Sequence, residues 1–291
     1  MFGQVVDAVN SYGWRNHLWN NAVVLVSLVV LDHIVMRPFL AKNYPGMGYR
    51  TPAHNSARWF FVHAGANAFV CAAAMRSMWS VLSDPLHSAD SQTNLDRSFW
   101  GDASVWPLTI INSVHVYHMI GGFRLTGADY FHHLLFIPTL GFPGQVLPWG
   151  ALSNWLAFFI SGLPGGLDYF VLGLVKLGYV DKMTEKRLNA NQNVWLRNPG
   201  ILTAVILLYQ SQVYGTCQAP FFFVLLQLTL PAYNGIYYCK QAVANFSVHW
   251  MLAILDPDKT ISKRLTERTS KMTGLQVMTF REALQEPQRG S

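Results

Sequence analysis

The stretch Thr-Gly-Ala-Asp-Tyr-Phe-His-His-Leu-Leu-Phe-Ile-Pro at 126–138 puts a carboxylate and two imidazoles into apolar surroundings. Asp129, His132 and His133 stand at i, i+3 and i+4, so on a helix they share one face. His115 and His118 add a second pair at i, i+3 just upstream, which makes four histidines in nineteen residues. A neutral imidazole oriented by a carboxylate can take the proton from an attacking amine or alcohol. A second imidazole can accept an acyl group or bind its developing oxyanion. The same residues have structural readings. Thr126 with Asp129 three residues on is a capping box, and His132-His133 can serve as hydrogen-bonding glue between membrane helices.

The elements that must hold these groups are apolar helices. The chain is 51% hydrophobic and 12% charged, about half the charge of a soluble domain. No Asp, Glu, Lys or Arg occurs between Asp102 and Arg124, between Asp129 and Asp168, or between Arg197 and Lys240. A spanning helix needs roughly 20 apolar residues. The pattern therefore predicts an all-α, polytopic membrane helix bundle of about seven spans, at 18–40, 57–82, 103–123, 126–142, 149–163, 199–213 and 218–239. Cys71, Cys217 and Cys239 lack metal-ligand spacing and read as small buried hydrophobes. Residues 1–17 show no signal-peptide pattern.

Several polar residues punctuate these spans. Asp32 lies inside the first, near Arg37, and reads as an interfacial or interhelical structural acid or as a functional one. The second carries His63 among small residues that permit close helix approach. Leu163-Pro-Gly-Gly166 predicts a helix break, which leaves Asp168 beside it as a further functional acid or as the cap of the resumed helix. Residues 177–198 read as a charged loop, and Asn198-Pro199 as a helix start.

Charge also sets orientation. Lys42, Arg50, Arg124, the 176–197 cluster and the segment from Lys240 on, with eight Lys and Arg against five Asp and Glu, fall on one side of a seven-span chain. The positive-inside rule makes that side cytosolic and the N-terminus luminal or external. The basic tail, 241–291, then lies at a membrane surface. Nothing resembles a nucleic-acid module.

Asn55-Ser56 followed by His63, then Asp129-Tyr-Phe-His132-His133, then Leu230-Pro-Ala-Tyr-Asn234-Gly-Ile-Tyr237-Tyr238, resemble in order and spacing the TLC-domain membrane proteins, which include the ceramide synthases. The resemblance covers 55–240 and leaves 1–54 as an N-terminal segment with one extra span. It implies a six-helix lipid-handling domain in the endoplasmic reticulum, with membrane lipids and fatty acyl-CoA as partners, the latter a co-substrate. No other cofactor is expected. His132, His133, Asp129 and Asp168 would be catalytic, and His115, His118, His63 and Asn234 would bind substrate. The ceramide-synthase segment that follows carries a His-Asp pair and a Glu. Here only Asp168 and Lys176 match it and Gly173 stands at the Glu position, so the resemblance is to a divergent member. Two other readings stand beside acyl transfer. One is a non-enzymatic lipid binder, lipid sensor or architectural subunit with membrane-protein partners or further copies of itself. The other is a histidine-rich diiron lipid hydroxylase, for which the longer HxxxH and HxxHH boxes are missing.

Overall fold

The computed structural model describes residues 13–44, 52–89, 98–123, 125, 127–147, 149–217 and 219–255, which are helical and contain no strand. They form seven continuous helical columns. α1 is Trp14–Asn43, with a π turn at Leu31–Met36. α2 is Pro52–Ser83 and α3 is Trp106–Ile120. α4 covers 127–146 and contains a π turn at Ile137–Gly141. α5 is Ala151–Leu177 with a π turn at Phe158–Gly162. α6 covers 182–213 with a π turn at Asn193–Arg197, and α7 is Phe221–Leu255.

The columns α2 to α7 close a ring. Contacts run from α2 to α3, α3 to α4, α4 to α7, α7 to α6, α6 to α5, and back to α2 through the most extensive interface in the bundle. α1 packs outside the ring on α3 and α2. Short connections at 121–126, 147–150, 178–181 and 214–220 make successive columns antiparallel. α1 and α5 are long and apolar enough to cross a membrane. Large apolar side chains such as Phe69, Leu134, Phe170, Ile206 and Ile236 lie exposed on the outside of the ring. Water does not favour such a surface.

Three expectations are corrected. The break at Leu163-Pro-Gly-Gly166 does not occur, because α5 runs through it. A proline costs a helix one hydrogen bond and a clash with the carbonyl four residues back, and the wider π turn absorbs both. Its glycines serve close approach instead: a Cβ on Gly165 would lie 2.9 Å from Asn67 Nδ2 and one on Gly166 would lie 3.3 Å from Asn67 Cβ, on α2. Asp168 is therefore mid-helix and caps nothing. The charged loop at 177–198 is mostly helix, begun at Lys182 under an Asp181 N-cap that accepts from the Met183 and Thr184 amides. These bonds, with the Thr184 hydroxyl foremost, hold the Asp181 carboxyl below its usual range. Finally, α7 continues past 239, where the seventh span was expected to end, and is helix through 241–255. The rest of the basic tail, Thr126 with its proposed cap, Arg50 and Arg124 lie outside the described residues.

Asp32 stands in an interhelical polar cluster, as its structural reading expects. It is fully buried, accepts the Tyr117 hydroxyl at 2.6 Å, and faces Arg58 Nε at 3.4 Å and Arg37 Nε at 3.7 Å. The cluster ties α1 to α2 and α3. Among the cysteines, Cys217 is buried, while Cys71 and Cys239 are only partly so.

Candidate functional site

A cavity of about 390 Å³ lies inside the ring, in the range of small-ligand sites. Every residue assigned a chemical or binding role from the sequence lines it: His63 from α2, His115 and His118 from α3, Asp129, His132 and His133 from α4, Asp168 from α5 and Asn234 from α7. Five imidazoles gather at one end. Ring centroids are 5.1 Å apart for His115–His133 and for His118–His133, 5.5 Å for His115–His132 and 5.9 Å for His63–His115.

Aromatic packing fixes this cluster. His118 stacks on Trp59 at 3.6 Å and His63 stacks on Tyr169 at 3.9 Å. His115 Nδ1 bonds the Ile111 carbonyl at 2.6 Å, which makes Nδ1 the protonated nitrogen and leaves Nε2 an acceptor. His132 Nδ1 lies 3.2 Å from the Tyr238 hydroxyl, so the partner shown for this imidazole is a phenol. His133 and His63 are each 4% exposed, and neither Nδ1 has a hydrogen-bond partner among the described residues. Buried polar atoms in that condition are uncommon and cost about 1–3 kcal/mol each. For His133 this weighs against the glue reading, since glue requires a partner.

The two ends of the cavity follow from column direction. His118 is near the end of α3, His132 and His133 are near the start of α4, and Asp168 is in the second half of α5, so these groups gather toward one face of the bundle. Leu108, Gly144, Trp149, Ser153 and Gln227 come from the opposite ends of the same columns and of α7. Leu108 and His118, ten residues apart on one helix, set an axial extent of roughly 15 Å. Between the two ends the wall includes Ile111, Phe136, Ile137, Leu140, Leu156 and Ile160, with Asn112 and Ser161 among them.

Arg197, Asn193, Tyr169 and Tyr238 also line the cavity and were given no role from the sequence. Arg197 Nη2 donates to Asn234 Oδ1 at 2.7 Å, Nη1 to Asn193 Oδ1 at 3.3 Å, and Nε to the Ile160 carbonyl at 3.1 Å. Asn193 Nδ2 donates to Asn189 Oδ1 at 2.7 Å, and Asn189 Nδ2 to Asp168 Oδ1 at 2.6 Å. Two amides thus separate the guanidinium from the carboxylate. Glu185, Asn189, Asn193 and Arg197 repeat every four residues, the signature of a single helix face, and that spacing is legible in the sequence. Three π turns reach the cavity wall, through Ile137, Leu140 and Gly141, through Ile160 and Ser161, and through Asn193 and Arg197. Single π turns inside α-helices are often found at functional sites.

Among the described residues no group of three or more His, Cys, Asp and Glu side chains is arranged to hold a metal ion. No family model, curated protein or solved structure matches this chain.

Proposed function

We propose that the chain is a polytopic membrane protein of TLC type, with α1 and the six-column ring all crossing the bilayer, that takes a lipid into the ring and transfers an acyl group at His132 and His133. One observation carries this reading: five imidazoles gather at one end of a cavity whose wall toward the other end is mostly aliphatic and aromatic, interrupted by Asn112, Ser153 and Gln227. An acyl chain lies along the apolar part, and its carbonyl reaches the histidines. One neutral imidazole takes the proton of an incoming amine or hydroxyl, whose lone pair attacks the acyl carbon. The bond to the thiol of an acyl thioester then breaks, and the proton leaves with the thiol. The histidine end lies toward the Lys- and Arg-rich side, which the positive-inside rule makes cytosolic and where an acyl-CoA would arrive. The endoplasmic reticulum is the membrane that the resemblance implies.

Lipid binding without turnover uses the same cavity, and His63 Nδ1 and His133 Nδ1, unpartnered among the described residues, fit either role. The test is to express the wild type, His132→Gln and His133→Gln in one cell line and measure the lipidome against the amount of folded protein. Gln keeps hydrogen-bonding capacity but does not transfer protons as imidazole does. Acyl transfer predicts a lipid product that disappears in both variants at unchanged protein level. No lipid change for the wild type over empty vector would leave lipid binding as the better reading.

A further inference from the structure

The arginines that face the interior of this bundle, Arg58 buried and Arg37 and Arg197 half-buried, are held in two different ways. Arg58 and Arg37 face the Asp32 carboxylate. Arg197 makes no ion pair within 4.0 Å among the described residues, and its three hydrogen bonds all go to uncharged oxygens. A guanidinium has five N–H donors, one on Nε and two on each terminal nitrogen. Three are occupied, so Nη1 and Nη2 each retain one hydrogen. The side chain sits in the cavity wall, clamped by Ile160 from α5, Asn193 from its own column and Asn234 from α7. Asp168, which lines the same cavity, is kept from direct contact by the Asn193–Asn189 relay.

A charged group in an apolar interior needs a counter-charge. Two spare donors on one planar fork match the two oxygens of a carboxylate or phosphate. We infer that Arg197 binds the oxyanion headgroup of a single-chain amphiphile, a fatty-acid carboxylate or an alkyl phosphate, whose chain fills the apolar end of the cavity. This rests on the cavity being a lipid site and is independent of acyl transfer. The volume of about 390 Å³ favours one chain over two. Asn193 and Asn234 position the guanidinium, and the ligand oxygens supply the contact that no side chain makes.

The test is equilibrium binding of radiolabelled sixteen-carbon ligands to the full chain in nanodiscs of neutral lipid. The ligands are palmitate, hexadecyl phosphate and hexadecanol, compared in the wild type, Arg197→Gln and Arg197→Lys. A charge-assisted contact predicts that at least one anionic ligand binds roughly tenfold or more tightly than hexadecanol. The better of the two identifies the headgroup. Arg197→Gln should bring the anions to the hexadecanol level while hexadecanol binding persists, and Arg197→Lys should keep part of the preference. Equal binding of palmitate, phosphate and alcohol by the wild type would overturn the Arg197 assignment and leave the lipid site standing. Failure of all three to bind the wild type would overturn both. The wild-type series decides the matter even if a variant does not fold.

Discussion

Asp32→Asn separates the structural polar cluster from the candidate site. The change keeps side-chain volume and an acceptor for the Tyr117 hydroxyl, so the 2.6 Å hydrogen bond survives in form. What disappears is the negative charge 3.4 Å from Arg58 Nε and 3.7 Å from Arg37 Nε. Arg37 is 22% exposed and can turn toward polar surroundings, whereas Arg58 is 5% exposed. Removing one partner of a buried pair costs about 3–5 kcal/mol, chiefly because the other charge stays behind. The Phe123 ring, 4.4 Å from the Arg58 guanidinium, offsets about 0.5–2 kcal/mol of this at most and is already present in the wild type. Asp32→Asn should therefore lower stability by about 3 kcal/mol or more, read from reversible unfolding in mixed detergent micelles. Adding Arg58→Met should recover a large part of the loss, because the double variant buries no unbalanced charge. Asp32 does not line the cavity, so lipid bound per folded molecule should be unchanged. A loss under about 1 kcal/mol, or a double variant worse than the sum of the singles, would refute the charge-balance argument.

Gly200→Ala probes how closely α6 approaches α5: a Cβ there would fall 2.1 Å from the Phe159 ring, so the columns must part, and an overpacking loss of about 1–3 kcal/mol is expected in the same unfolding assay. The Trp155 Nε1 bond to the Gly200 carbonyl should weaken with it, which shifted tryptophan emission would report. For topology, tags at positions 5, 90 and 285 should be accessible from the lumen, the lumen and the cytosol respectively. Protease protection of the 90 and 285 tags on the same side would remove the seven-span arrangement.

Charge gaps made the helical class legible, and histidine spacing pointed to residues that line one cavity. His115, His118, His132 and His133 meet because α3 and α4 are joined by a short connection that sets the end of one beside the start of the other. That juxtaposition needed only element order. Arg197 was hidden by a different inference: the run from Lys182 to Arg197 is polar, and polarity read as loop. The i+4 spacing of Glu185, Asn189, Asn193 and Arg197 was the countervailing signal. A helix whose polar stripe faces an interior cavity satisfies that spacing as well as a solvated helix does, and polarity alone does not tell the two from a loop.

The prolines carry the remaining discrepancy, and with it the origin of the site. Pro38, Pro164 and Pro199 each stand two residues after a π turn, and Pro138 lies within one. A proline cannot donate to the carbonyl four residues back and sterically displaces it. For Pro164 that carbonyl belongs to Ile160, and it accepts the Arg197 Nε hydrogen at 3.1 Å. For Pro199 the widened turn is the one that carries Arg197 and Asn193 on the cavity wall. The residues that seemed to end helices thus leave the helices intact and free one acceptor among the polar groups of the cavity. A continuous α-helix would have spent that carbonyl on its own backbone, and the guanidinium would have lost one of the three bonds that hold it in the cavity wall.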